Sequence, residues 1–583
     1  LVAVLSTAAL LAIGASMTSF AAQGWAEEDG TWVYYDRNGD RVTDKWAKSG
    51  NNWYYLDSDG EMAIDTLIED GDNYYYVDIN GVMASNQWVA IDNEDAGDDD
   101  EPDHYWYYFQ ANGKALKNSG DNVSLKTVNG KKYAFDDEGK MLYGWVSSDS
   151  AERIDNTDGD AFKDGVYYFG GEDDGAMTVG WLQMDITYDE ATNDYEIAPV
   201  FNDDEDQSRW FYFKSNGKKV QSDDADDTKE KTINGKKYGF DTYGRMVASW
   251  YADTASLSTA KGTSGNAQGQ AGYSEKFMYF SSPEDGARYT KGWFKVVPGY
   301  YLHNAKYEDG DEYWYYADGD GEIYANKIKK IKGKKYAFDS YGRMISGLKF
   351  LEFDSADETE IIAAVHDDDE GKGTSDIGTS KLGDYDTEDN YKKWVLENSV
   401  AINDGTLRAY YFGGSDDGAM KTGKQNINID GDNFSFEFNK NGNLKGAGAV
   451  GFDDDKIYLA GMQMKADKDD KYEVVKITVS LTTAGNIQQK VEELSTKKFL
   501  DDCMDKDNSD DDDTIWTIKA SAKNPSVDIE TLDEDDLASG DKVYYFLLNS
   551  SGKVSKSKSG AKDGDDYKFT VSGYQIDKVT LEK

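Results

Sequence analysis

Hydrophobic and polar positions in the first ninety residues follow one short frame. An aromatic residue is followed by a mixed polar stretch, a run such as WYY, an acidic turn closing on glycine, and a methionine two places on. NNWYYLDSDGEM (51–62) shows the second half of it. Trp25, Trp46, Leu67 and Trp88 recur 21 residues apart, as do Trp32, Trp53 and Tyr74, and Gly39, Gly60 and Gly81. A fixed period of this size predicts small stacked units, each unable to bury its own apolar face. Within a unit the first aromatic falls on one short strand and the WYY run on a second. The acidic residues before glycine form a turn, because glycine takes positive φ at little cost. The unit therefore reads as a β-hairpin plus a connector. A lone hairpin is marginal in water, so its aromatics must pack on the neighbouring copies.

The frame continues past residue 90 in altered copies. Trp106 to Gly113, Trp210 to Gly217 and Trp314 to Gly321 keep the seven-residue step, as do Lys132 to Gly139, Lys237 to Gly244 and Lys335 to Gly342. A third variant lengthens the turn, in VYYFGGEDDGAM (166–177) and AYYFGGSDDGAM (409–420). The expected organisation is a leader at 1–21, regular hairpins at 22–90, and three larger modules at 91–180 (I), 181–292 (II) and 293–424 (III). Degenerate repeats follow at 425–583. Within that last region KYEVVKITVSLTT (471–483) and TIWTIKAS (514–521) read as strands. NIQQKVEELSTKKFLDDCM (486–504) reads as a helix, with Ile487, Val491, Leu494 and Leu500 near one face, which makes a small α+β element at about 471–521. The fold class expected is mainly β: a β-hairpin repeat solenoid with long acidic inserts and that one α+β element.

Charge narrows the partners. Lysine and arginine number 63 against 112 aspartates and glutamates, a formal net charge of −49, which repels nucleic acid and anionic membranes and favours cations or basic partners. The 42 tyrosines, 23 phenylalanines and 14 tryptophans are too many for a disordered acidic chain. One cysteine, Cys503, allows no intramolecular disulfide. The stretch LVAVLSTAALLAIGASMTSFAAQ is expected to be the end of a secretory signal peptide cut after Ala21, rather than a membrane anchor.

The pattern GW-x(5-6)-WYY-x(4)-G-x-M resembles the cell-wall-binding repeats of Gram-positive surface proteins, the choline-binding group among them. KTINGKKYGFDTYGRM is also similar to repeats of clostridial toxin receptor-binding regions and streptococcal glucan-binding domains. The resemblance covers residues 24–90 well and 91–445 in the hairpins alone. It implies a hairpin solenoid and a non-catalytic, secreted or cell-surface protein that holds cell-wall polymer or another glycan. In choline-binding relatives aromatics of adjacent hairpins box a quaternary ammonium, which ring faces attract. The positions implied here are Trp25, Trp32, Trp46 and Trp53, with Tyr35, Tyr55 and Trp88 as further candidates. Copies with lysine in place of the central tryptophan (Lys132, Lys237, Lys335) are expected to be structural, since lysine would repel such a ligand.

Other chemistry finds little support. His104, His303 and His366 are the three histidines, and none lies near Cys503 or a nucleophile motif. Neither a metal site nor a cofactor is expected. DRNGD (36–40), NTDGD (156–160) and ADGDGE (317–322) suggest calcium ligands, but the EF-hand ligand register fails there and hairpin turns explain the residues better. The long inserts near 147–165, 183–209, 251–276 and 351–408 carry a second expectation. Loops on a rigid repeat often bind, so the chain could be an adhesin for a host protein or glycoprotein, with Trp394 as an interface anchor.

Overall fold

Asp29 and Gly30 both have positive φ, 51° and 91°, and join strands Gly24–Glu28 and Thr31–Tyr35. Two successive left-handed residues make the tight turn whose twist matches a right-twisted strand pair. Asn234 and Gly235 do the same between Lys229–Ile233 and Lys236–Phe240. These local signals build one antiparallel hairpin after another. The computed structural model describes residues 23–97, 101–186, 207–223, 228–252, 268–269, 271–354, 361–364, 387–482, 485–507 and 513–582. They divide into two compact units: Leu1–Tyr195 with Val200–Ala248 and Ser281–Ala287, and Glu196–Pro199 with Ser249–Phe280 and Arg288–Lys583. The expected signal segment lies outside the described residues.

In the first unit the hairpins are Gly24–Tyr35, Lys45–Leu56, Thr66–Val77, Gln87–Phe109, Lys126–Tyr133, Trp145–Tyr168, Gly180–Phe213 and Lys229–Phe240, counted from the first residue of one strand to the last of the other. Five of them end in an acidic turn with one repeated device. Asp57 Oδ1 accepts the backbone N–H groups of Asp59 and Glu61, while Gly60 N–H donates to the Asp57 carbonyl. Asp36, Asp78, Asp136 and Asp241 accept pairs of N–H groups in the same way. Part of the acidity of the chain is thus turn chemistry. Replacing Asp57 by alanine strands two donors and is expected to cost about 1–2 kcal/mol of stability, whereas asparagine keeps the acceptor and most of the stability. Chemical denaturation of the two variants checks this.

Two links join each copy to the next. The backbone N–H two places past a glycine donates to the carbonyl of the aromatic-run residue one hairpin earlier: Met62 to Trp32, Met83 to Trp53, Met141 to Trp106, Met246 to Trp210. The side chain at that position then lies under the glycine of the following copy. A Cβ built on Gly81 would stand 2.9 Å from Met62 Sδ, and the same arrangement pairs Met83 with Gly113, Met141 with Gly175 and Met246 with Gly286. Where methionine is replaced, the new residue keeps the place: Arg41 under Gly60, Ala115 under Gly139, Lys219 under Gly244. This ladder explains why glycine and methionine recur together.

The second unit continues the plan in hairpins Ser249–Phe280, Gly292–Ala317 and Lys327–Phe338, then Leu348–Phe353 with Leu407–Tyr411 and an added edge strand Ile361–Ala364. Its ladder runs from Arg288 under Gly321 to Met420 under Gly446. Beyond residue 420 the plan changes. Gly423–Ile429 and Asp432–Phe438 join a five-stranded sheet with Met462–Gln463, Lys456–Leu459 and Gly451–Asp453. Tyr472–Leu481 is the centre of a three-stranded sheet between Ile487–Leu494 and Lys542–Asn549. A second five-stranded sheet is ordered Met504–Asp507, Asp513–Ile518, Gln575–Glu582, Tyr567–Ser572, Ser557–Lys562, so the mixed element extends well past residue 521.

Two expectations are corrected here. The segment 486–504 is not one helix: Ile487–Leu494 is a strand paired along its length with Tyr472–Leu481, and only Thr496–Cys503 is helical. Ser495 separates them by capping the helix, its side chain accepting from Lys498 N–H. VYYFLLNSSGKV (543–554) keeps the repeat's turn, with Asn549 accepting from Ser551 and Lys553, but its strand pairs with Tyr472–Leu481 rather than within a local hairpin.

The inserts, where described, pack inward. Phe162 of the first lies in a core with Trp145 and Phe211. Helices Glu388–Glu397 and Ser399–Asp404 bury Tyr391, Trp394, Val395 and Ile402 against the second unit's largest core. Trp394 is 1% exposed, its ring 4.2 Å from that of Phe350. It is a core residue and not the surface anchor expected. Residues 187–206, 253–267, 270, 355–360 and 365–386, the remainder of three inserts, lie outside the described residues.

Candidate aromatic binding sites

Tryptophans that open the regular hairpins sit between two tyrosines. Trp25 meets Tyr34 of its own hairpin at 5.3 Å and Tyr54 of the next at 5.2 Å, both edge-on. Trp46 meets Tyr55 at 5.1 Å and Tyr75 at 5.0 Å. Trp88 meets Tyr108 at 5.2 Å and Tyr133 at 4.9 Å. These edge-on and tilted contacts contribute roughly 0.5–1.5 kcal/mol each beyond area burial.

Taking in the second tryptophan and the ladder methionine gives a recurring tetrad. Trp46, Trp53, Tyr75 and Met83 form one, and Trp88, Trp106, Tyr133 and Met141 form another at equivalent places. Both line a single groove of about 1720 Å³ in the first unit. Trp25, Trp32, Tyr54 and Met62 repeat the arrangement, as do Trp181, Trp210, Tyr238 and Met246. In the second unit Trp293, Trp314, Tyr336 and Met344 repeat it again. In each tetrad the methionine N–H donates to the second tryptophan's carbonyl, at 2.7–2.9 Å, so backbone geometry sets the spacing.

Trp25, Trp32, Trp46, Trp53 and Trp88 all fall in tetrads. Trp53 is 40% exposed and offers the most open ring. Tyr35 and Tyr55 do not: Tyr35 donates to Glu28 at 2.7 Å, and Tyr55 meets Trp46 edge-on as its cross-strand partner in the same hairpin. The tyrosines used are Tyr54, Tyr75 and Tyr133, one hairpin further on. The lysine copies are expected to be structural from their sequence. Lys132 does replace the tryptophan of its own hairpin, yet that hairpin supplies Tyr133 and Met141 to the tetrad begun by Trp88. The persistent methionine was the signal that the copy still contributes.

Two tetrads carry an aspartate from a long-turn copy. Trp106 Nε1 donates to Asp173 Oδ1 at 3.1 Å, and His104 Nε2 lies 3.1 Å from the same oxygen. Trp314 Nε1 donates to Asp416 Oδ1 at 3.0 Å, and Lys295 Nζ pairs with it at 3.0 Å. Hydrogen bonds from the two indoles hold both carboxyls below the usual carboxylate range. A contrasting copy lies at Trp145, where the ladder position is Lys219. Its ammonium donates to the Phe162 carbonyl and stands 5.1 Å from the Trp145 ring, so the chain's own cation fills the slot.

Comparison with known proteins bears on these hairpins. Residues 22–66 and 42–88 match the choline-binding repeat. Glucosyltransferase-S of Streptococcus mutans is 28% identical over 375 residues, covering 57% of this chain and 22% of that protein. The chain therefore spans about a fifth of that relative's length. Among solved structures, the modular autolysin LytC of Streptococcus pneumoniae in complex with a synthetic peptidoglycan ligand is 20% identical. It covers 57% of this chain and 55% of that one, at a TM-score of 0.29. Choline binding protein F of the same organism is 14% identical, covering 77% and 100%, at a TM-score of 0.20. The N-terminal hairpins thus match the choline-binding repeat, and the chain resembles the cell-wall-binding repeat proteins of Gram-positive bacteria. Among the described residues no helix is long and apolar enough to cross a membrane.

Proposed function

We propose that this chain is a non-catalytic surface protein that attaches to the cell wall of a Gram-positive bacterium, holding choline-bearing polymer on its aromatic tetrads. The observation that carries the reading is the tetrad itself, rebuilt at equivalent positions inside and beyond the segment that matches the choline-binding repeat. Two tryptophans, a tyrosine and a thioether present π faces and a polarizable sulfur to a slot on a strongly acidic protein. A quaternary ammonium gains roughly 0.5–2 kcal/mol per ring face there. One such contact is weak, and several on one chain raise avidity toward a polymer that repeats its ligand.

Binding of the full chain to choline-substituted cell walls, and elution by free choline, tests this. Retention on such walls with release by choline is expected, and deletion of 24–90 should lower retention sharply by removing two tetrads and Trp88 of a third. Equal binding to walls with and without choline, unaffected by free choline, would overturn the choline assignment.

A further inference from the structure

The long-turn copies GGEDDG (170–175) and GGSDDG (413–418) have no counterpart in the regular N-terminal hairpins. Each places an aspartate at the same position of the turn, Asp173 and Asp416. Each aspartate binds the indole N–H of a tryptophan tens of residues upstream. We propose that modules I and III each hold a cation-selective site made from three hairpins, in which Asp173 or Asp416 gives an aromatic tetrad an anionic wall, so that the ligand taken is an organic ammonium ion rather than a neutral sugar face. This rests on the reading of the tetrads as ligand sites.

The geometry supports charge recognition. Both contacts to each aspartate fall on Oδ1, and no described residue bonds Oδ2. The carboxylates are about 70% exposed (71% and 69%), so Oδ2 is open to an incoming cation. Asp173 lines the same groove as Trp88, Trp106, Tyr133 and Met141. A sugar stacking on a ring face needs no fixed anion, whereas an ammonium ion gains from the π face and the carboxylate together. In module III the chain already places an ammonium there. Lys295 Nζ, on Asp416, lies 5.9 Å from the Trp314 ring centre. An added ligand must displace it, so the module III site should be the weaker of the two. Module II provides the contrast: the corresponding turn residue is Glu284, and Trp210 Nε1 is buried with no acceptor among the described residues.

The test is calorimetric titration of the full chain with choline and with 3,3-dimethyl-1-butanol, its uncharged carbon isostere. The proteins compared are wild type, D173N/D416N and D173A/D416A. Asparagine keeps an acceptor for the indole and removes the charge, while alanine removes both. Two sites of D173N/D416N are expected to bind choline about fivefold more weakly, with affinity for the isostere unchanged. If D173N/D416N binds choline as wild type does and only D173A/D416A is impaired, the aspartates merely hold the indoles and the proposal fails. Equal losses for choline and isostere overturn it as well. Binding of neither ligand by the wild type overturns the underlying reading of the tetrads. D173N alone, confined to module I, decides the question if the double variants do not fold.

Discussion

Replacing Gly175 by valine is expected to lower the stability of the first unit by about 2–4 kcal/mol, read as a fall in its denaturant midpoint. Two costs add. Gly175 has φ of +52°, a left-handed conformation in which a β-branched residue is strained. The new Cβ would also overlap Met141 Sδ and Cε and stand 2.9 Å from its Cγ. Met141 is 5% exposed, packed with Val128, Tyr133 and Phe135, so its thioether has no solvent to swing into. Relieving the overlap pulls Met141 out of its tetrad, and ligand binding at Trp88 and Trp106 should weaken with stability. Met141→Ala in the valine background should recover the steric part and leave the backbone part. If the double variant is as unstable as the sum of the singles, the side chains do not meet as described.

Lys219→Met should move stability the other way, raising it by about 1–2 kcal/mol near neutral pH. Lys219 is 3% exposed, and burial pushes its ammonium down from 10.5 to about 7. Above pH 7 the folded chain releases a proton that the unfolded chain keeps until about 10.5. Wild-type stability therefore rises with pH across that window, and it has no dependence from this group below it. Methionine is the usual resident of the ladder position and has no charge to desolvate; the loss is the hydrogen bond to the Phe162 carbonyl and the contact with Trp145. Denaturation at pH 7 and pH 10 should show the variant ahead at the lower pH and the gap closing at the higher one. A variant less stable at both would mean that the cation on Trp145 contributes more than its burial costs.

The hairpins were legible because their signals are local. Asp-Gly and Asn-Gly turns, aromatic runs and the 21-residue register each act within one copy. The ladder was half legible. The methionine two past each glycine stands out, but its partner is the glycine of the next copy, 19 residues on for Met62 and 74 on for Met344. Spacing that varies so widely hides the pairing. The tetrads are half legible likewise: Trp25, Trp32, Trp46, Trp53 and Trp88 stand out in the repeat, while Tyr54, Tyr75 and Tyr133 come from the following hairpin, and Tyr35 and Tyr55 lie outside the tetrads. Segment 486–504 misled because Ile487, Val491 and Leu494 suit a helical face as well as a strand edge, and only pairing with Tyr472–Leu481 decides between them. Trp394 misled because a tryptophan among acidic residues looks the same in sequence whether it faces outward or covers Phe350.

The ladder has a bearing on how such a chain changes over generations. A glycine asks only that a suitable side chain stand two places past the preceding turn glycine. Methionine, arginine, lysine, isoleucine and alanine all meet that need here. Unequal genetic exchange that adds or deletes a whole copy therefore brings together two surfaces that already fit. Array length, and with it the number of aromatic tetrads, can drift by duplication without a new core having to be invented.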